Sequence, residues 1–155
     1  MTEKHLLIVA HAPSDNTRRL VEAVLEGARH PEVSGVNVSW KPPLEAQPDD
    51  VLKADAIILG TTENLGYMSG ALKDFFDRCY YPVLEQKQGL PCALYIRAGL
   101  DGTGTRRAVQ SIVTGLRWEW VQEPVVFKGD WQEDFVAQAQ ELGLTMAAGL
   151  EAGIF

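Results

Sequence analysis

The chain has 155 residues, 46% of them apolar and 23% charged, a balance that suits one domain with a substantial core and needs no second one. Its formal net charge of -7 argues against a nucleic-acid groove or an anionic membrane as the main partner, because both select clustered Lys and Arg. Cys79 and Cys92 form no C-x-x-C pair and each sits in an apolar segment, so they read as buried free thiols in a reducing compartment, with no disulfide and no metal site. The opening Met-Thr-Glu-Lys-His leads into an apolar run too short to span a bilayer and followed by no small-residue cleavage site, which points to a cytoplasmic protein.

Leu6 to Ala10 is a continuous apolar run, as expected of a central strand buried on both faces, and it stops at His11-Ala12-Pro13-Ser14. A helix follows, capped by Ser14 or Asn16, with Leu20, Val21, Val24, Leu25 and Ala28 on one face. Val36, Val38 and Trp40 alternate with polar residues as a second strand that ends at Pro42-Pro43. Pro48 to Ala54 reads as a short helix with Asp49 and Asp50 in its first turn. Ala56 to Leu59 is a third strand. The helix after it starts near Ser69, and its periodicity takes in Met68, Leu72, Phe75, Phe76, Cys79 and Val83. Cys92 to Ile96 is a fourth strand that empties into a glycine-rich loop. A further helix carries Val109, Ile112, Val113 and Leu116; Trp118 to Phe127 supplies a fifth strand, interrupted at Pro124. Asp130-Trp131-Gln132-Glu133 resembles a capping box for a last helix that buries Phe135, Ala139, Leu142 and Met146.

Strand and helix thus alternate five times, and right-handed crossovers fold such a string into a parallel sheet covered on both faces. Ligands of these sheets bind at the carboxyl edge where strand order reverses, which gathers the loops after strands one, three and four. The first loop brings Ser14, Asn16 and Thr17 to a helix start, where hydroxyl and amide groups beside unpaired N–H groups suit a phosphate or simply cap the helix. It is neither a Walker loop nor Gly-x-Gly-x-x-Gly. The loop from Gly60 to Met68 mixes polar residues, glycine and the aromatic Tyr67, which suits a flat heteroaromatic ring. No zinc spacing, Gly-x-Ser-x-Gly elbow or acidic phosphoacceptor set is present in the sequence.

His11-Ala12-Pro13-Ser14-Asp15-Asn16-Thr17 after the first strand, with Gly60-Thr61-Thr62-Glu63-Asn64-Leu65-Gly66-Tyr67-Met68-Ser69-Gly70-Ala71-Leu72-Lys73-Asp74-Phe75-Phe76-Asp77-Arg78 after the third, resembles the flavodoxin-like family. More narrowly it resembles the NAD(P)H-dependent FMN reductase and quinone reductase branch. The resemblance implies a three-layer α/β/α sandwich over residues 1–155, with a five-stranded parallel sheet of order 2-1-3-4-5, and FMN held by these loops. Ser14, Asn16 and Thr17 match the phosphate loop. Thr61, Thr62, Glu63, Asn64, Leu65, Gly66, Tyr67 and Met68 match the first isoalloxazine loop, and Ala98, Gly99 and Gly102 fall in the second. Relatives commonly have a hydroxyl at Ala12 and Gly at Asp15; the missing hydroxyl removes about 1 kcal/mol of hydrogen bonding, and the carboxylate opposes a phosphate unless it faces solvent or pairs with Arg18 or Arg19. Glu63-Asn64 replaces a Pro-Thr-Tyr type sequence, so the stacking aromatic is Tyr67 or comes from a partner subunit. Glu63 near the ring edge lowers its potential, or is a solvated loop carboxylate.

No catalytic side chain is required, since the protein has only to orient and tune the ring. The expected activity is an FMN-dependent oxidoreductase with NADH or NADPH as donor and a quinone, flavin or other small molecule as acceptor. Two alternatives stay open: a flavodoxin-like carrier, whose acidic surface steers docking onto a basic redox protein, and a flavodoxin-like regulatory or binding module with weak or no FMN binding. The reductase branch also implies a homodimer, because such enzymes often build the nicotinamide face across an interface.

Overall fold

The computed structural model describes residues 3–155, so Met1 and Thr2, where the reading of the chain start begins, lie outside the described residues. The strands are β1 (Lys4–Ala10), β2 (Val36–Lys41), β3 (Ala56–Asn64), β4 (Tyr67–Met68), β5 (Pro91–Ala98), β6 (Glu119–Trp120) and β7 (Val125–Lys128). The helices are α1 (Asp15–Ala28), α2 (Pro48–Leu52), α3 (Gly70–Val83), α4 (Thr103–Leu116) and α5 (Asp134–Ala152). The sheet runs β2-β1-β3-β5-β6, with β7 also on β5 and β4 paired antiparallel to β3. All other pairings are parallel.

This is the flavodoxin-like order, with the fifth lane in two pieces. Cys92 pairs with Trp120 and Tyr95 with Val125, so that lane holds two residues more than β5 between the same rungs. Pro124 lies in the excess, and its missing N–H removes a ladder bond there.

Alternation along the central strands splits the core into two layers. Leu7, Val9, Ile57, Leu59, Leu94 and Ile96 pack with Leu72, Phe75, Val109 and Val113 of α3 and α4. Leu6, Ile8, Ala10, Ile58, Tyr95 and Phe127 pack with Leu20, Val24, Ala139 and Met146 of α1 and α5. Each fully buried large side chain contributes about 1.5–3 kcal/mol. α1 and α5 approach closely because Gly27 and Gly143 have no Cβ: one built on Gly143 would lie 2.0 Å from the Val24 carbonyl oxygen, and one on Gly27 would lie 1.8 Å from that of Gln140. Cys79 and Cys92 are buried free thiols; burial pushes Cys79 up to about 11, and Cys92 is raised by the same cause. No helix among the described residues is long and apolar enough to cross a membrane.

Two helix starts differ from expectation. Met68 belongs to β4 and precedes α3, whose cap is Ser69, its Oγ accepting the Leu72 N–H at 3.1 Å. The Asp130 capping box does not form. α5 begins at Asp134, and Glu133 instead accepts hydrogen bonds from both terminal nitrogens of Arg19 on α1 and from the Trp131 indole.

The Arg19 hydrogen bonds, and secondarily that of Trp131, hold the Glu133 carboxyl down at about 2, against an ordinary 4.5. A carboxyl depressed on folding contributes its stabilising link fully above the unfolded value and loses it as pH falls through the folded one. The stabilising contribution is therefore lost between about pH 4.5 and 2, and the Trp131 indole N–H resonance of the folded protein is expected to shift with a midpoint at about pH 2. Glu133→Gln should remove that transition; a midpoint at the ordinary carboxylate value contradicts the link.

Candidate functional site at the carboxyl edge of the sheet

β1 hands the chain to α1 on one face of the sheet and β3 hands it to α3 on the other, so the crevice between their ends is the switch point. The two strands stay tied to their last residues: Ala10 pairs with Gly60, and the His11 N–H donates to the Gly60 carbonyl at 3.0 Å. Gly60 has a packing reason to be glycine. A Cβ there would lie 2.4 Å from the ring of Tyr95, which crosses it on the α1 face. The Tyr95 hydroxyl is buried without a partner among the described residues, and burial raises its pKa, which keeps it protonated.

At the start of α1 the Thr17 N–H donates to Ser14 Oγ at 3.2 Å and the Ser14 N–H donates to Thr17 Oγ1 at 2.9 Å. The two hydroxyls also lie 2.8 Å apart. Ser14 is thus the cap, and the hydroxyls satisfy each other and the helix end; the Asp15 and Asn16 N–H groups have no intramolecular partner among the described hydrogen bonds. Asp15 and Asn16 are exposed while Thr17 is buried. Asp15 makes no ion pair with Arg18 or Arg19, the latter being taken by Glu133. Its carboxylate faces water, the arrangement that least opposes an anion on the helix end. Burial lowers the His11 pKa from 6.5, so its imidazole is mainly neutral at pH 7.

The stretch after β3 is not an open loop. β3 continues to Asn64 and folds back on β4 as a hairpin, with Glu63 opposite Met68 and Asn64 opposite Tyr67. Leu65 and Gly66 form its tip with φ of 53° and 75°, the paired positive values of a tight hairpin turn. Glycine accommodates this freely; leucine bears a cost of about 1 kcal/mol, which fits a residue placed for its exposed side chain. Inside the hairpin, buried Thr61 accepts the Ser69 N–H at 2.9 Å, and the Thr62 hydroxyl donates to Asn64 Oδ1 at 2.9 Å.

Glu63 joins this hairpin to the next loop. Its carboxylate oxygens accept the N–H groups of Leu100 at 2.9 Å and Gly102 at 2.8 Å. Gly104 adds a backbone contact, since a Cβ there would lie 2.2 Å from the Gly66 oxygen. Thr61 to Met68 and Ala98 to Gly102 are therefore one rigid edge, and the charge of Glu63 is spent on loop amides. Leu65, Tyr67 and Leu100 stand exposed along it, an apolar rim beside a helix end that presents free N–H groups. That combination has the chemistry of a site for a flat ring bearing a phosphate.

The neighbouring wall is not marked by any of the sequence motifs above. A cavity of about 410 Å³ is lined by His11, Ala12, Arg18, Trp40, Pro42, Pro43, Leu44, Glu45 and Ala71. Its sequence signal is a Trp near the carboxyl end of an edge strand with two prolines after it; Trp40 packs partly on the α1 and α5 layer of the core and also lines the cavity. Another recess, of about 330 Å³ and lined by His5, Leu7, Ser39 and Ala54, lies where the short α2 leaves β1 and β2 uncovered, away from these loops.

Residues 4–132 match the family model described as NADPH-dependent FMN reductase. The chain belongs to that family. It is a flavodoxin-like oxidoreductase family with FMN as cofactor and NADPH as donor. The chain is 33% identical over 111 residues to a flavodoxin of Aquifex aeolicus (strain VF5), covering 72% of this chain and 59% of that protein. It is 30% identical over 93 residues to an NAD(P)H dehydrogenase (quinone) of Acidithiobacillus ferrooxidans, covering 47% of this chain and 46% of that one. The chain thus spans about half the length of the curated relatives it matches. Among solved structures, a flavodoxin from the domain Archaea superposes with a TM-score of 0.77 at 18% identity, covering 94% of this chain and 98% of that one. A WrbA-like flavodoxin from Agrobacterium tumefaciens gives 0.71 at 19% identity, covering 94% and 96%. At these identities the structures bear on the fold alone.

Proposed function

We propose that the protein binds FMN at this edge and uses NAD(P)H to reduce a quinone, a flavin or another small acceptor. The observation that carries the reading is the Glu63 clamp, which holds two ring-facing loops as one edge beside the open end of α1. Ser14, Asn16 and Thr17, with the free N–H groups of the first turn, hold the phosphate. Thr61 to Met68 and Ala98, Gly99 and Gly102 hold the ring, with Leu65, Tyr67 and Leu100 excluding water along its side. Bound FMN supplies hydride acceptance and electron release itself, and the protein contributes orientation and a fixed hydrogen-bonding environment. Backbone groups at Leu65 and Gly66 face the ring edge in this arrangement, and the positive φ of both sets which of them point outward. The cytoplasmic location and the homodimer inferred from the resemblance belong to the same proposal; two buried free thiols favour the first, and light scattering tests the second.

A carrier without its own NAD(P)H oxidation is the second reading, favoured by the flavodoxin relative and the net charge of -7, which steers docking onto a basic redox protein. Anaerobic mixing separates the two. Rapid bleaching of the FMN-loaded protein by NADH or NADPH is expected for the reductase, and inertness selects the carrier. No uptake of added FMN overturns both and returns a flavodoxin-like module without cofactor.

Ser14→Ala combined with Thr17→Ala is expected to weaken FMN binding by about 2 kcal/mol, roughly 30-fold in Kd. Riboflavin, which has no phosphate, should be nearly indifferent. Unchanged FMN affinity rejects the phosphate loop, and equal losses for the two ligands indicate only a damaged helix cap, itself worth about 1 kcal/mol.

A further inference from the structure

We propose that the recess lined by Trp40, Pro42, Leu44 and Ala71 binds the adenosine phosphate end of the electron donor, an inference that rests on the reductase reading above. The walls are held in place before any ligand arrives. The Trp40 indole N–H donates to the Ala10 carbonyl at 3.1 Å, which fixes the ring against the end of β1. The β2–α2 segment is tied to α3 by Arg78, whose terminal nitrogens donate to the carbonyls of Pro43 at 2.7 Å and Ala46 at 2.8 Å. Arg78 is in turn held by Asp74 at 2.7 Å. Leu44, at 62% exposure, stands at the rim of a cavity of about 410 Å³, within the size range of small-ligand sites.

The charges define the ligand class. Arg18 lines the recess, is exposed, and has no carboxylate partner among the described ion pairs; neutral His11 lies beside it. An apolar shelf with an indole and a proline next to a free guanidinium recognises a flat aromatic group carrying an anion. Glu45 on the same lining supplies an acceptor suited to an amino group on that aromatic. Adenine with a ribose phosphate has all three features.

The position suits a ligand that reaches two places. The recess lies between the β1–α1 loop, the segment after β2 and Ala71 at the start of α3, beside the ring-facing loops that follow β3 and β5. A dinucleotide, its halves joined by a pyrophosphate, has the length to place its adenosine half here and its other half at those loops.

The test uses 2′,5′-ADP and AMP titrated into FMN-loaded protein by calorimetry, with Trp40 followed by its indole N–H resonance. At least one nucleotide is expected to bind, to shift Trp40, and to lose about tenfold or more in affinity in Arg18→Ala and in Leu44→Asp, with FMN affinity equal to that of the parent protein. No binding at millimolar nucleotide, binding that neither substitution affects, or displacement of FMN by the nucleotide overturns the assignment. If the protein takes up no FMN, the reductase reading fails by itself. The same titration on the FMN-free protein then decides the recess: binding lost in both variants upholds it, and any other result ends it.

Discussion

Gly143→Ala is expected to lower stability despite improving the intrinsic helix propensity of α5. The propensity gain is about 1 kcal/mol. Against it stands a methyl group placed 2.0 Å from the Val24 carbonyl oxygen and 3.0 Å from the Ala28 nitrogen, both backbone atoms that no side-chain rotation can move. Relief requires α1 and α5 to separate, opening gaps around Leu20, Val24, Ala139 and Met146, all of them fully buried. Overpacking of this kind costs about 1–3 kcal/mol and at a backbone contact falls at or beyond the upper end, so a net loss of about 2 kcal/mol should appear as a lower urea midpoint with an unchanged slope. Gly27→Ala meets the reciprocal contact, 1.8 Å from the Gln140 oxygen. The double variant should lose less than the sum, because the first substitution has already separated the helices. A stabilised Gly143→Ala protein would show that the propensity term wins. Because α1 carries Ser14 to Thr17 at its other end, FMN affinity is expected to fall in these variants along with stability.

Glu63→Ala is expected to have the largest effect on the site. It removes a carboxylate that accepts two backbone N–H groups from the β5–α4 loop, and hydrogen bonds to a charged acceptor contribute about 1.5–3 kcal/mol each. Leu100 is 77% exposed, so water replaces part of what is lost there, and a total of about 2–3 kcal/mol is reasonable. Order is lost first at residues 98–102, so the Leu100 and Gly102 amides should lose protection from hydrogen exchange, and the urea midpoint should fall by an amount that corresponds to the same loss of about 2–3 kcal/mol. FMN affinity should fall about tenfold or more, because the ring would have to order that loop on binding. Glu63→Gln keeps one acceptor oxygen and should be intermediate. If exchange at Leu100 and Gly102 is unchanged in Glu63→Ala, the clamp does not hold the loop in solution.

The clamp also alters the role expected for Glu63 as a charge beside the ring. That expectation placed the carboxylate by its position in the motif. In the fold it turns toward loop amides, since the hairpin brings residues 63 and 100–102 to the same side of the edge and their N–H groups need an acceptor.

The sequence by itself determined the order of elements and most of the core. Runs such as Leu6 to Ala10 and Ala56 to Leu59 are long enough, apolar enough and branched enough to be buried strands, and the helical spacing of Leu72, Phe75, Phe76 and Cys79 marks one face. Burial drives both patterns, so both can be read without coordinates. It also marked the loops where a ligand site would lie, because parallel topology sends alternate loops to one edge. Only the tertiary structure decided what those loops do. Met68 reads as helical by spacing yet pairs in β4, because the hairpin offers its backbone partners that periodicity cannot show. Asp130 and Glu133 have the spacing of a capping box, but Arg19, distant in sequence, competes for Glu133. Likewise Glu63 meets Leu100 and Gly102, and Trp40 meets Ala10, through contacts between residues far apart in the chain. Local patterns carry the information for burial and helix phase; the partner of a polar side chain is set by which distant segment the sheet brings beside it.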